Sequence, residues 1–159
     1  MRLPIKKILC PIDFSDCSYD ALDSAVELAS HFSAELCLTH IVPEMPRPVR
    51  ILPSADKMEE YDQRLSDYEE ALTTSTQQKL HEVIVHRLPD GLSSHAIAGH
   101  GDAANEIVRI ADEEKVDLIV MATHSVSDWR EIGQASVTTR VVQLSSRPVL
   151  TIRAHREEL

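Results

Sequence analysis

The sequence predicts an α/β domain with a doubly wound, mostly parallel sheet, and three observations carry that expectation. The 159 residues are 43% hydrophobic with only six aromatics, so the core must be built from Val, Ile, Leu and Ala. That is the usual filling of a parallel sheet covered by helices. Short β-branched runs alternate with helix-period segments in the order β-α-β-α-β-α-β-α-β, which right-handed crossovers wind into one sheet. One domain over residues 1–159 accommodates them, and a chain of that length buries roughly two-thirds of its unfolded surface.

The first strand is read at Ile5 to Ile12, IKKILCPI, ending at the polar break Asp13-Phe14-Ser15. Ala21, Leu22, Ala25, Val26, Leu28, Ala29 and Phe32 then recur at helical spacing, and Asp16, Asp20 and Asp23 crowd the entry, where the helix dipole favours negative charge. Ala34 to Val42 is a second strand. Pro43, Pro46, Pro48 and Pro53 exclude regular structure from the loop Pro43 to Asp56. Met58, Tyr61, Leu65, Tyr68 and Leu72 step by three and four, so a long helix is expected from about Ala55 to Val85, its narrow apolar stripe suited to lying on a sheet. Thr73 to Thr76 are modest helix formers and are expected to weaken its middle.

After a turn at Pro89-Asp90-Gly91, Ser94 to Ala98 reads as a weaker strand, with His95 and His100 straddling its end. Asp102 is placed to cap a helix from Ala103 to Lys115. Asp117 to Ala122, DLIVMA, is the clearest strand of all. Ser136 to Leu144 and Pro148 to Arg153 complete the alternation as a last helix and a last strand.

Charge and composition exclude several functions. A formal charge of −10 and no basic patch disfavour nucleic acid, whose affinity rests on Lys and Arg neutralising phosphates. No apolar run reaches the ~20 residues of a membrane span or forms a signal peptide, so a cytoplasmic protein is expected. Cys10, Cys17 and Cys37 lack disulfide or zinc spacing; buried thiols are the expectation for Cys10 and Cys37, a more exposed one for Cys17. No metal site is expected, because none of the eight histidines forms an i, i+4 helical pair with a nearby carboxylate.

In open α/β sheets ligands bind at the carboxyl ends of strands, where the strand order reverses. The loops to read are therefore Pro11 to Ser15, His40 to Pro43, and Ala122-Thr123-His124-Ser125 continuing to Ala135-Ser136. None contains a P-loop, a GxSxG elbow or an HExxH pair. Gly99 to Ala104 does satisfy GxGxxA, yet it follows the third strand, puts Asp102 where a pyrophosphate should lie, and has no ribose-binding acid at the required place. A helix cap is the sounder reading of Asp102.

Four segments together, PIDFSDCSYDAL, THIVPE, GDAANEIVRIADEEKVDLIVMATHS and IGQASVTTRVVQLSSRPVLTIR, resemble the universal stress proteins over Ile5 to Arg153. The resemblance implies a five-stranded parallel sheet in the order 3-2-1-4-5 with helices on both faces, and a homodimer through the last strand, with Val149, Leu150 and Ile152 at the interface. It also implies one of two states, because ATP-binding members carry a glycine, two residues, a second glycine, nine residues, and a glycine followed by Ser or Thr. This chain keeps the spacing and loses the glycines, reading Ala122, Ser125 and Ala135-Ser136. Glycine there permits positive φ and close backbone approach to phosphate. Gly133, two residues before Ala135, is the nearby glycine that could replace part of that freedom.

Other positions match those lining the nucleotide in the family: Pro11 and Asp13 beside adenine and ribose, Ile41 beside adenine, and Met121, Ser136 and Val137; His124 lies in the same loop. Asp13 alone reads equally as a helix-entry carboxylate. The leading expectation is a dimeric stress-response binding or regulatory protein with weak or absent adenine-nucleotide binding and no required cofactor, acting through an unknown protein partner. The alternative is an ATP-binding switch with slow or no hydrolysis, Ser125 and Ser136 donating to phosphate. An enzyme of the wider nucleotide-binding group is disfavoured, since neither an SGGxDS-like loop nor a HIGH-like pair follows the first strand.

Overall fold

A computed structural model describes residues 3–46, 55–123 and 136–153. The elements are β1 (Lys7–Pro11), α1 (Asp16–Phe32), β2 (Glu35–Val42), α2 (Ala55–Arg87), β3 (Ser94–His100), α3 (Ala103–Glu113), β4 (Leu118–Thr123), α4 (Val137–Leu144) and β5 (Val149–Arg153). All pairings are parallel, and the five strands stand in the order β3-β2-β1-β4-β5. Alternation along β1 divides the core: Ile8, Cys10 and Ile12 pack with Leu22, Ala25 and Leu80 under α1 and α2. Leu9 faces the other way and joins Cys37, Ile41, Ile107, Ile110 and Val141 under α3 and α4.

Helix entries follow their capping residues. Ser15 accepts from the Ser18 amide at the start of α1, Asp102 from Asn105 at α3, and Ser136 from Thr139 at α4. Each such cap contributes about 1 kcal/mol. The two glycines of the GxGxxA stretch serve packing and turning. A Cβ on Gly99 would stand 2.5 Å from Ile41 Cδ1, and Gly101 enters the α3 turn at φ 129°. Burial pushes the Cys10 and Cys37 thiols up, Cys37 to about 12, and Cys17 is less buried.

Three expectations need correction. Helix α2 runs through Thr73 to Thr76 unbroken, because Thr73 Oγ1 bonds the Glu69 carbonyl at 2.8 Å and Thr76 is buried. The stripe from Met58 to Leu72 does not form the sheet contact; Leu80, Val83 and Ile84 do, while Tyr61 and Tyr68 are exposed. A 33-residue helix is about 50 Å long and a seven-residue strand about 23 Å, so the first half of α2 overruns the carboxyl end of β3. His95 and His100 both lie within β3, which is two residues longer than expected.

The long helix also bonds to one edge of the sheet. Gln77 Nε2 donates to the Ala96 carbonyl at 2.8 Å, and its Oε1 accepts from the Ala98 amide at 2.7 Å, so one side chain satisfies a carbonyl and an amide of edge strand β3 as a neighbouring strand would. Among the described residues no helix is long and apolar enough to cross a membrane.

Ion pairs tie the amino end together and give the fold an acid limit. Asp117 Oδ2 accepts from the Lys6 and Lys7 amides, and Lys7 Nζ reaches Glu114 at 2.6 Å and Glu35 at 3.5 Å. The His95 ring lies between the same two carboxylates, its Nδ1 2.7 Å from Glu35 without the alignment of a hydrogen bond and its Nε2 3.3 Å from Glu114. The Lys7 ammonium holds the Glu114 carboxyl below its ordinary 4.5, and Arg140 and Arg147 do the same for Asp102 and Asp112. A carboxyl depressed on folding stabilises the protein above its unfolded pKa and loses that contribution as pH falls through the folded value. Urea unfolding should therefore show stability falling below about pH 4.5, with a shallower fall in Glu114→Gln. Identical slopes in the two proteins would remove Glu114 from the account.

Candidate functional site

The strand order reverses between β1 and β4, and the sheet opens there toward its carboxyl edge. Pairing of β1 with β2 continues to Pro11 and Thr39, whereas pairing with β4 is recorded only at Ile8–Leu118 and Leu9–Ile119. Continued two residues past their last pairs, the registers would set Pro11 beside Met121 and Asp13 beside Ile41. Pro11, Ile41 and Met121 are buried, while Asp13 is exposed.

Asp13 is held locally, its Oδ1 accepting from the Ser15 amide at 3.0 Å and from the Ser15 hydroxyl. The helix-entry reading of this carboxylate is thus visible in its bonds, which brace the start of α1. The next residue, Phe14, has φ 63°. Holding a non-glycine residue in that region costs roughly 1–2 kcal/mol, and such strain concentrates at functional positions.

The N-terminus of α4 lies at the end of β4. Thr138 Oγ1 donates to the Ala122 carbonyl at 2.8 Å and pins the first turn of the helix to the end of β4. Ser136 caps that turn and Val137 beside it is exposed, so Ala122, Ser136 and Val137 are brought together although fourteen residues separate the first two. Arg140 fixes the helix from its other side through a two-pronged pair with Asp102, at 2.8 and 2.9 Å. Nothing in the sequence marked Thr138 or Arg140, because a hydroxyl and a guanidinium on a helix are ordinary surface residues until the partner strand is placed. His124, Ser125 and Ala135 lie outside the described residues, as does Gly133.

Ala122 corrects part of the expectation about the lost glycines. It lies within β4 opposite Ile152 and is not among the described non-glycine residues with positive φ, which are Phe14, Ser33 and Lys115. Its methyl group therefore acts by occupying space, and no left-handed strain arises there. After β2 the Met45 amide bonds to buried Glu69 of α2 at 3.2 Å.

The sequence model of the universal stress protein family matches residues 4–153. The chain belongs to that family. Universal stress protein MJ0577 of Methanocaldococcus jannaschii is 32% identical to it over 162 residues, which cover 96% of this chain and 98% of that protein. The solved structure of MJ0577 matches with a TM-score of 0.74 at 27% identity, covering 96% of this universal stress protein and 99% of the other chain. A universal stress protein solved in complex with cAMP shares the fold at a TM-score of 0.59 and 20% identity, over 93% of this chain and 97% of its own.

Proposed function

We propose that this universal stress protein is a dimeric binding and regulatory protein whose carboxyl-edge crevice takes an adenine nucleotide weakly, and that it acts through partner contacts without turnover. The observation that carries the reading is the pairing of a retained anchor with an altered wall. Exposed Asp13 and buried Pro11, Ile41 and Met121 lie toward the carboxyl ends of β1, β2 and β4, and across the switch point Ala122 carries a Cβ where the family's ATP pattern has glycine. Adenine nucleotide is supported as the ligand class by the relative solved with cAMP. The capped start of α4 supplies amides and a positive dipole end suited to a phosphate.

Purified protein, denatured and analysed by ultraviolet absorbance and mass spectrometry, should release adenine nucleotide in well under one equivalent. Calorimetric titration with AMP and ATP should give affinities weaker than low micromolar. Stoichiometric ATP in the extract, or low-micromolar binding, replaces this reading with that of an ATP-binding switch.

A further inference from the structure

We propose that His40 and Phe14 form a mount that sets the Asp13 carboxylate in place before any ligand arrives, which makes His40 a positioning residue of the crevice. The proposal rests on the adenine-nucleotide reading only for the identity of the ligand.

The mount is a closed chain of contacts between the ends of β1 and β2. The Ile12 amide donates to the Thr39 carbonyl at 2.8 Å. The Ile12 carbonyl lies 2.7 Å from His40 Nδ1, and since a carbonyl only accepts, Nδ1 carries the proton. Both ends of Ile12 are therefore docked on β2. One residue beyond Asp13, Phe14 holds a left-handed backbone, a genuine outlier for a bulky side chain, and its ring lies 4.8 Å from the His40 ring centre. Asp13 is enclosed between these two anchor points, and Ser15 bonds it from the helix side. A cap at Ser15 needs only extended backbone at that residue, which Ser15 has at φ −79° and ψ 159°. The strain at Phe14 is therefore extra to helix initiation, and strain of this kind persists only where the surroundings over-determine it. Here the His40 ring and its bond to Ile12 do so.

Amide hydrogen exchange reads the mount without ligand, because the Ser15 amide is the donor to Asp13. In His40→Leu, exchange at Ser15 should accelerate by about tenfold, while the Gly101 amide, bonded to Val42 at the neighbouring strand end, stays unchanged. His40→Asn places an amide nitrogen where Nδ1 stood and should restore most of the protection. With AMP as the probe, affinity should fall about fivefold in His40→Leu and recover in His40→Asn. Unchanged Ser15 exchange in a folded His40→Leu overturns the proposal, as does faster exchange with unchanged AMP affinity. If His40→Leu fails to fold, Phe14→Gly makes the same test from the other side: Ser15 should exchange faster, and equal exchange overturns the mount. If the parent protein binds no AMP, the nucleotide reading fails, and exchange alone decides whether His40 positions Asp13.

Discussion

Restoring glycine at Ala122, Ser125 and Ala135 together is expected to tighten ATP binding by about tenfold or more, a gain of about 1.4 kcal/mol. The spacing of the family's phosphate loop is intact in this chain, so the substitution changes side chains and leaves loop length alone. At Ala122 the gain comes from removing a methyl group at the end of β4, and it is offset by about 0.5–1 kcal/mol for glycine in a strand. The larger share is expected from Ser125 and Ala135, where glycine frees the backbone to turn its amides toward phosphate. The effect should be greater for ATP than for adenosine, because the change acts on the phosphate end and leaves Asp13 and Ile41 untouched. Equal affinities for parent and triple variant in calorimetry would mean that the crevice is limited elsewhere.

Leu150→Glu is expected to separate the proposed dimer, weakening association by about a hundredfold, or about 2.8 kcal/mol. Strand β5 is an edge of the sheet, Leu150 is 38% exposed in the single chain, and Val142 and Leu144 of α4 are exposed as well. Val149 and Ile152 are already half-buried against the two core layers, so Leu150 is the interface residue whose burial depends most on a partner. Among the described residues no side chain bonds to the backbone of β5, in contrast to β3. A carboxylate forced into an apolar edge-to-edge contact loses several kcal/mol of hydration, which exceeds the expected effect. Sedimentation at micromolar concentration should show a dimer for the parent and a monomer for the variant. A dimer that survives the glutamate would place the interface on another surface.

The architecture was legible because its signals are local and repeat. The run DLIVMA is apolar on both faces, as a central parallel strand must be, and Asp102 precedes a helical period as a cap must. Segment ends moved by a residue or two, as hydrogen-bonded ends do. The errors arose where tertiary packing overrode local preference. Thr76 is a modest helix former, yet burial holds it in α2, and the stripe from Met58 to Leu72 has a helical period without facing the sheet because the helix overruns its strand. Pro11, Asp13 and Ile41 were readable as strand-end residues, whereas Met121 came from the family resemblance alone; all four lie toward the carboxyl ends of β1, β2 and β4. The contacts that fix the walls, Thr138 to Ala122, Arg140 to Asp102 and His40 to Ile12, join residues 16, 38 and 28 positions apart, a separation that periodicity cannot report.

Gln77 has a bearing on how many copies can assemble. A subunit with two open sheet edges is divalent, and parallel strands added at both ends would extend without limit. With the Ala96 carbonyl and the Ala98 amide both bonded to one glutamine side chain, a strand arriving at β3 would have to displace it, which biases association toward the other edge. On the proposed pairing through β5, association closes on a two-fold axis and stops, and Gln77 is one contact that would oppose extension of such a pair into a fibre.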